Sequence, residues 1–442
     1  MKELLAEDIV KKAIDKGCDA AEVYMKSSSG ISVEAKDGMV EALEASRDFG
    51  IALKVIKGKK LGFSFTTTPE HVEKTVDEAL QAAEWTGDDE YMGIPEYAAP
   101  ADVLVFDEEI KNTSEEHIIK QALLLEESAL SFDERIKKVR KAEVSSGTGR
   151  TTIANSRGVN ITYNSTYYAA HVTTLALDGS GDSQMGWDYA GSRRMRDIDV
   201  RAIGGGAAKR ALELLGSRKI SAVKSPVVLS PSVAVDFLEI LSASLSAEAV
   251  QKQRSFLAGK QGMNIISPLI DILDDGTRAW GTGTRPVDDE GVPAMKKKLV
   301  SGGTLEGYIH NTYTAKKWGV ASTGNASRGS SKSLPGVGIS NFYINAEAGG
   351  EENGLIRQLS RGMLVLSAMG VHTANPVSGD FSIGISGLWI ENGQPAYPVR
   401  EAIMSGNVLE MFKKVEALGR DLKFYGSTGS PGLLIGEMDI SA

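Results

Sequence analysis

The 442-residue sequence contains a single cysteine, Cys18. One thiol excludes a disulfide within the chain and a zinc site that uses several thiolates. A chain without internal disulfides fits an intracellular compartment, and we expect the protein to be cytoplasmic.

Long apolar runs are also missing. No window approaches about 18 uninterrupted apolar residues, so we expect no membrane-spanning helix. Charges interrupt the apolar positions of the opening stretch, MKELLAEDIVKKAIDKG, which predicts an amphipathic helix and not a secretory signal peptide. The formal net charge of −9 lacks the basic footprint of a general nucleic-acid binder. We therefore expect neither nucleic acid nor a membrane as a partner.

Glycine is abundant, with 48 residues against 13 prolines, which predicts many strands and tight turns. At roughly 100–200 residues per domain, the length suggests two or three domains. We expect an α+β fold whose N-terminal domain, residues 1–222, consists of antiparallel strands with helices. A C-terminal β-rich, barrel-like domain with a few helices is expected over residues 223–442, where glycine punctuates short apolar runs.

Alternating apolar residues predict a series of short strands in the N-terminal domain. They cover residues 20–26, 30–35, 40–46, 50–56, 61–66, 137–146, 150–155 and 161–178. Asp37-Gly38 is a hairpin signal between two of these strands. The Gly-rich residues 178–191 are predicted to form a long loop.

Helical periodicity predicts three helices between these strands. They cover residues 3–16, 69–85 and 113–131. Thr113 and Glu116 have the spacing of a capping box. A fourth helix over residues 199–215 is expected to be interrupted by Gly204–Gly206.

The most informative stretch runs from Val227 to Phe256. Ser230-Pro231 supplies a capping residue and a proline at the first helical position. Apolar side chains then recur every four residues, at Val233, Phe237, Leu241, Leu245 and Ala249. This spacing predicts a regular helix over Ser232–Phe256, packed by Phe237, Leu241 and Leu245.

Residues that often carry catalysis form no local motif. The histidines are His71, His117, His171, His310 and His372. No two of them have the spacing of a helical metal-binding pair, although a Ser-His-Asp site cannot be judged from spacing alone. The acidic segments Asp274-Asp275-Gly276 and Asp288-Asp289-Glu290-Gly291 lack the calcium-loop pattern, and we interpret them as turns.

Several separate blocks resemble one known family. The sequences VSGDFSIGISGLWIENGQPAYPVREAIMSGN (residues 377–407) and ALGRDLKF (417–424) resemble the C-terminal signature of the TldD/PmbA family. DILDDG, DDEG and ASTGNASRG, together with the N-terminal EVYMKSSSGISVEAKDG, follow the family pattern in the same order. The resemblance spans essentially the whole chain.

The resemblance also implies a branch within the family. TldD-like members carry H-E-x-x-x-H on the helix after Ser230 and bind zinc for peptide hydrolysis. Alignment on the following segment, from Leu245 to Ser255-Phe256, places that motif at residues 238–243, where Glu239 is retained but Leu238 and Ala243 replace the histidines. One carboxylate cannot supply the three protein ligands that a zinc site needs. This chain is therefore expected to hold no metal, no cofactor and no catalytic residue.

The implied function is that of a PmbA/TldE-like non-catalytic subunit of a heterodimeric zinc metallopeptidase. Zinc is then expected only in a TldD-like partner subunit, and the substrates are unfolded or leader peptides. A homodimer is expected when the chain is alone.

Two alternatives stay open. The chain could be a stand-alone homodimeric protein that binds extended peptides by β-augmentation, without hydrolysis. It could also be an independent hydrolase that uses His372 or His310 at a site unlike zinc.

Overall fold

The computed structural model describes residues 5–347, 349–350 and 354–441. The α-helices in these residues are α1 (Ala6–Asp15), α2 (Val72–Glu84), α3 (Glu108–Lys111), α4 (Glu115–Leu130), α5 (Val200–Glu213), α6 (Pro231–Ser244), α7 (Ala247–Gln251), α8 (Thr312–Trp318), α9 (Gly354–Arg357) and α10 (Val408–Lys413).

The strands of the N-terminal half are β1 (Ala20–Lys36), β2 (Met39–Lys57), β3 (Lys60–Thr66), β4 (Ile136–Asn155), β5 (Asn160–Leu177) and β6 (Ser183–Ser192). Those of the C-terminal half are β7 (Val223–Leu229), β8 (Ile272–Asp275), β9 (Lys296–Ser301), β10 (Thr304–Leu305), β11 (Ala326–Ser327), β12 (Gly336–Val337), β13 (Phe342–Ile344), β14 (Arg361–Met369), β15 (Asp380–Glu391), β16 (Gln394–Asn407), β17 (Val415–Leu418), β18 (Lys423–Tyr425), β19 (Thr428–Ser430) and β20 (Leu433–Ser441).

The N-terminal half is a curved antiparallel half-barrel sheet of six strands, in the order β3-β2-β1-β4-β5-β6. Helices cover one face, which we call the helical face: α1 and α2 pack on one end of it, and α4 and α5 on the other. The opposite face, which we call the inner face, carries Tyr24 and Ile153 packed against Val287 of the C-terminal half. The predicted hairpin at Asp37-Gly38 is confirmed, with φ of 54° and 73°.

The C-terminal half contains a five-stranded barrel, in the order β16-β15-β14-β7-β20, which closes because β16 also pairs with β20. A second sheet has the order β10-β9-β8-β13-β19-β18. The helix α6 packs against β14 of the barrel and against β18 and β19 of the second sheet. The α+β class and the barrel are therefore confirmed, while the domain division at residues 222 and 223 stays a prediction.

Several predicted strands are parts of longer ones. Residues 20–26 and 30–35 form the continuous β1, because Gly30 pairs with Ser46 on one side and Gly147 on the other. The same double pairing joins the predicted pieces of β4. Within a sheet of this length, each glycine is held by neighbours on both sides and no turn forms.

The predicted loop over residues 178–191 is wrong, since residues 183–192 form β6 and pair with β5. The predicted interruption of the fourth helix is also wrong. Gly204 and Gly206 allow close packing of an unbroken α5: an added Cβ would lie 2.8 Å from the Leu125 carbonyl oxygen and 2.4 Å from Asp188 Oδ2, respectively. Tertiary packing outweighs the low helix propensity of glycine at both positions.

Two helix ends differ from the sequence-based expectation. Ser114 and not Thr113 caps α4, since its hydroxyl accepts the His117 backbone N–H at 3.2 Å. The long helix predicted to Phe256 ends at Ser244. There, Leu245 and Ala247 exchange backbone hydrogen bonds with Ile309, both at 3.0 Å, and α7 begins separately.

Helical patterns over residues 351–361 and 407–417 predict two further helices, which are shorter than predicted or lie partly outside the described residues. Of the helix expected over 351–361, residues 351–353 lie outside them, and α9 covers Gly354–Arg357. The helix expected over 407–417 is α10, followed by β17. No helix in the described part of the chain is long and apolar enough to cross a membrane.

Candidate functional site

The helix α6 begins as its sequence predicts, with Ser230 at the N-cap position and Pro231 in the first turn. Phe237, Leu241 and Leu245 are buried in the main core of the C-terminal half, as predicted. The Phe237 ring packs edge-on against Phe381, with centroids 4.9 Å apart. This apolar face fixes the rotation of the helix and therefore the direction of every other side chain on it.

Leu238 belongs to the same core and is 0% exposed. Glu239 and Ala243 are exposed, and Asp236 is partly buried. The two positions that the family resemblance aligns with the motif histidines thus lie in different environments, one inside the core and one at the surface. Among the described residues, no group of three His, Cys, Asp or Glu side chains is placed to hold a metal ion. The side chains at this position do not fit zinc.

Asp236 and Glu239 form an acidic pair on one face of α6. Burial and the neighbouring Glu239 charge raise the pKa of Asp236 to about 7. Partial desolvation also raises the pKa of Glu239, although the Thr428 side chain of β19 opposes this shift. Both carboxyl groups therefore hold a proton more tightly than an ordinary carboxylate.

The candidate histidines lie apart from a nucleophile. His310 is buried, with its ring edge-on to Trp318 at 5.3 Å, and its Nδ1 has no hydrogen-bond partner among the described residues. Burial lowers the pKa of His310. His372 is exposed on a short 3₁₀ turn, Val371–Thr373, that contacts α6. Within the described residues, neither imidazole has the hydroxyl partner that a Ser-His-Asp site needs.

Both acidic segments interpreted as turns are buried, and the second also contacts the N-terminal half through Glu290 and Lys54, so that interpretation was incomplete. Asp274, Asp288 and Glu290 are all buried. Asp288 does form a turn, accepting the backbone N–H groups of Glu290 and Val292 at 2.9 Å each. Its other oxygen accepts the Ala326 N–H at 2.9 Å, which ties this loop to the next one.

A cluster of four buried charges joins β1 and β2 to the C-terminal half. Lys54 Nζ lies 3.0 Å from Glu22 Oε2 and 3.3 Å from Glu290 Oε1. Arg328 Nη2 lies 2.8 Å from Glu22 Oε1, and its guanidinium stacks on Tyr24. Burial lowers the pKa of Lys54, but the two carboxylates raise it more, so the ammonium stays charged.

This interface cluster, defined by Glu22, Lys54, Glu290 and Arg328, was missed in the sequence. Its charges compensate one another, which favours a role in fixing the halves together over a role in chemistry. One signal was available, because Lys54 and Glu22 each stand within apolar strand sequence, GIALKVI and AAEVYM. A charged side chain inside an apolar strand is buried only when it is paired with an opposite charge. Each of these two residues therefore indicated a buried ion pair.

The inner face of the sheet is open beyond the residues that contact the C-terminal half. Tyr167, Glu44 and Asp48 are exposed there, and His171 and Tyr189 are partly exposed. This open region meets the C-terminal half at β6, where Trp187 packs edge-on against Tyr425 with centroids 5.6 Å apart. The strand β18, which holds Tyr425, also contacts α6.

The fold and sequence match a described family along most of the chain. Family models match as PmbA/TldA metallopeptidase domain 1 over residues 21–83, the central domain over 108–215 and the C-terminal domain over 222–442. The metalloprotease PmbA of Escherichia coli is 28% identical over 432 residues, which covers 96% of this chain and 92% of the relative. A metalloprotease PmbA homologue of Buchnera aphidicola is 29% identical over 435 residues, covering 96% and 93%.

Solved structures agree in fold. A Thermotoga maritima protein described as a modulator of a DNA gyrase superposes with a TM-score of 0.90 at 27% identity and covers 98% of both chains. TldE of Thermococcus kodakarensis has the same fold, with a TM-score of 0.89 over 99% of both chains at 22% identity. From the domain matches and these relatives, we conclude that the chain belongs to the PmbA/TldD metallopeptidase family.

Proposed function

We propose that this chain is a PmbA/TldE-like, non-catalytic subunit of a heterodimeric zinc metallopeptidase that acts on unfolded or leader peptides. The similarity to proteins named PmbA and to a TldE structure supports this branch of the family. The partner is a TldD-like subunit that carries H-E-x-x-x-H, and zinc belongs to that subunit. We place the complex in the cytoplasm.

One observation carries the proposal: Leu238 lies inside the core, one residue before the single carboxylate at the motif position. A metal-binding side chain at 238 would have to leave that core, and Ala243 offers no ligand atom. Glu239 alone also lacks the metal-bound water that a general base of this motif would activate. The helix α6 therefore contributes side chains to the core of this chain, and hydrolysis takes place in the partner subunit.

A second candidate function is a homodimeric protein that binds extended peptides without cleaving them. The free edge of β2 favours it: β3 pairs with residues 51–57, and residues 39–50 have no strand on that side among the described residues. An exposed edge of this length offers backbone donors and acceptors to an added strand. Met39, Val40 and Leu43 are exposed along it.

Reconstitution separates the two functions. The full-length chain is mixed with an H-E-x-x-x-H subunit encoded in the same genome, and cleavage of an unfolded peptide is followed by mass spectrometry. The proposed function predicts a 1:1 complex and zinc-dependent cleavage that exceeds that of the partner alone. A homodimer that neither binds the partner nor changes its cleavage rate favours the peptide-binding function.

The hydrolase alternative has its own test. Peptide cleavage by the isolated chain that resists chelators and disappears in His372→Ala or His310→Ala would support it. We expect no cleavage to begin with, because neither histidine has a hydroxyl partner in the described part of the chain and His310 is buried.

A further inference from the structure

Two tyrosines lie flat on the open inner face, over glycines of their own and neighbouring strands. A Cβ added at Gly30 of β1 would lie 2.6 Å from Tyr167 Oη, and one at Gly147 of β4 would lie 2.4 Å from Tyr167 Cε1. Likewise, a Cβ at Gly191 would lie 2.4 Å from Tyr189 Oη. The glycines therefore leave room for both rings to rest on the sheet, and Tyr167 is still 40% exposed.

His171 connects the tyrosines into one surface. It lies opposite Glu143 of β4 and opposite Tyr189 of β6 in the strand register. No described residue forms a hydrogen bond with its imidazole or with the hydroxyl of Tyr167 or Tyr189. We call Tyr167, His171, Tyr189 and the neighbouring Glu143 the inner-face platform.

The charge around the platform is negative. Lys141 forms an ion pair with Glu143, and the charges of Glu34 and Glu44 act on the same ammonium group. Burial raises the pKa of Glu143, but the hydrogen bond from Lys141 and its charge lower it more, so this carboxylate is ionised at neutral pH. Burial and Lys141 lower the pKa of His171, which is therefore neutral there. The carboxylates of Glu34, Glu44 and Glu143 thus outnumber the one ammonium group of Lys141.

We propose that the inner-face platform binds an extended peptide segment that carries lysine or arginine. Exposed tyrosine faces attract cations, and the excess carboxylates complement the same charge. The platform residues lie on β4, β5 and β6, and the Tyr167 ring reaches over Gly30 of β1. At about 4.8 Å between strands, these four strands span about 14 Å, the length of about four extended residues. The free hydroxyls and imidazole supply hydrogen bonds to the peptide backbone.

This inference rests on the proposed function, since the bound segment would belong to the peptide substrate. It adds a preference in charge and the residues that produce it. The platform lies on the same side of the sheet as the C-terminal half, and Trp187, 37% exposed, continues the aromatic surface toward β18 and α6.

Fluorescence anisotropy with the full-length chain tests the proposal. The probes are two labelled, unstructured peptides of equal length, one alternating lysine with serine and the other glutamate with serine. We expect the lysine peptide to bind at least about ten-fold more tightly than the glutamate peptide. Tyr167→Ala and the double variant Glu34→Gln/Glu143→Gln should each weaken binding of the lysine peptide about ten-fold, while Tyr167→Phe should preserve it.

The matched control is Glu70→Gln/Glu127→Gln, which removes the same charge from exposed residues outside the inner face. Circular dichroism verifies that each variant is folded. Equal affinity for the two peptides would overturn the proposal. An equal loss of affinity for the lysine peptide in the platform and control variants would also overturn it. A loss of self-association in Tyr167→Ala, seen by sedimentation, would also overturn it and assign the platform to a second copy. If these results contradict the role of the platform but the mixture with the TldD-like partner still cleaves peptide, only the platform proposal is wrong and the proposed function stands.

Discussion

Leu238 and Glu239 are neighbours on α6, yet Leu238 lies fully inside the core and Glu239 is exposed. The opposite environments follow from the rotation that Phe237 and Leu241 impose on the helix. The family resemblance aligns residue 238 with the first histidine of H-E-x-x-x-H, and in this chain that residue packs in the core.

Restoring the motif histidines should therefore fail to create a zinc site. In Leu238→His/Ala243→His, the two positions are about 140° apart around a regular helix, and residue 238 is directed into the core. We expect a loss of about 1–3 kcal/mol in the free energy of unfolding from Leu238→His, because a polar ring is buried without a partner. Ala243→His alone serves as the exposed control. Stoichiometric zinc by elemental analysis in the double variant would contradict this expectation.

The interface cluster should be sensitive to loss of its cation. Lys54→Ala leaves Glu22 and Glu290 buried with less compensation, and we expect a cost of about 3–5 kcal/mol in a urea titration. Lys252→Ala removes an exposed ion pair with Glu248, and it should cost at most about 1 kcal/mol. Similar losses in both variants would show that the buried cluster is not the link between the halves.

Asp236 should make the protein less stable as the pH rises. Its pKa is about 7 in the folded chain against 3.8 for an ordinary aspartate, so the folded state holds the extra proton between these values. Stability from this group is present at low pH and is lost as the pH rises toward about 7. Asp236→Asn should therefore gain in melting temperature relative to the wild type at high pH and not at low pH. The exposed Glu437→Gln is the control, and a pH-independent difference for Asp236→Asn would contradict the assignment.

Adjacent glycines in α5 should respond in opposite ways to alanine. Gly204→Ala brings a Cβ to 2.8 Å from the Leu125 carbonyl oxygen of α4, a backbone atom that cannot easily move. We expect a loss of about 1–3 kcal/mol from this overpacking. Gly205→Ala meets the Phe132 ring at 3.3 Å, which can shift, and it should be neutral or gain up to about 1 kcal/mol in helix propensity. Equal effects in thermal unfolding would count against the close packing of α4 and α5.

Local patterns predicted the elements whose causes are local. The Asp37-Gly38 hairpin and the start of α6 at Ser230-Pro231 were predicted correctly, because turn conformation and capping depend on a few adjacent residues. The apolar face of α6 was also predicted, through Phe237 and Leu241. The glycine-punctuated apolar runs after residue 222 indicated the barrel-like half, which is confirmed. The motif position in α6 stays a prediction from the family resemblance.

Long-range packing explains what could not be predicted. Gly147 lies in mid-strand because β1 and β5 pair with it from both sides, a fact absent from its local sequence. Glu290 looked like a turn residue, and its ion pair with Lys54 spans 236 positions of the chain. The inner-face platform likewise depends on two other strands, because the Tyr167 ring rests over Gly30 of β1 and Gly147 of β4.

The central claim is that this chain contributes no metal site of its own. The most direct measurement is the zinc content of the purified chain after equilibration with excess zinc and desalting, combined with a peptide-cleavage assay on the same sample. We predict less than about 0.1 zinc per chain and no zinc-dependent cleavage, since one carboxylate and no histidine occupy the motif positions. About one zinc per chain, together with cleavage that a chelator abolishes, would contradict the account.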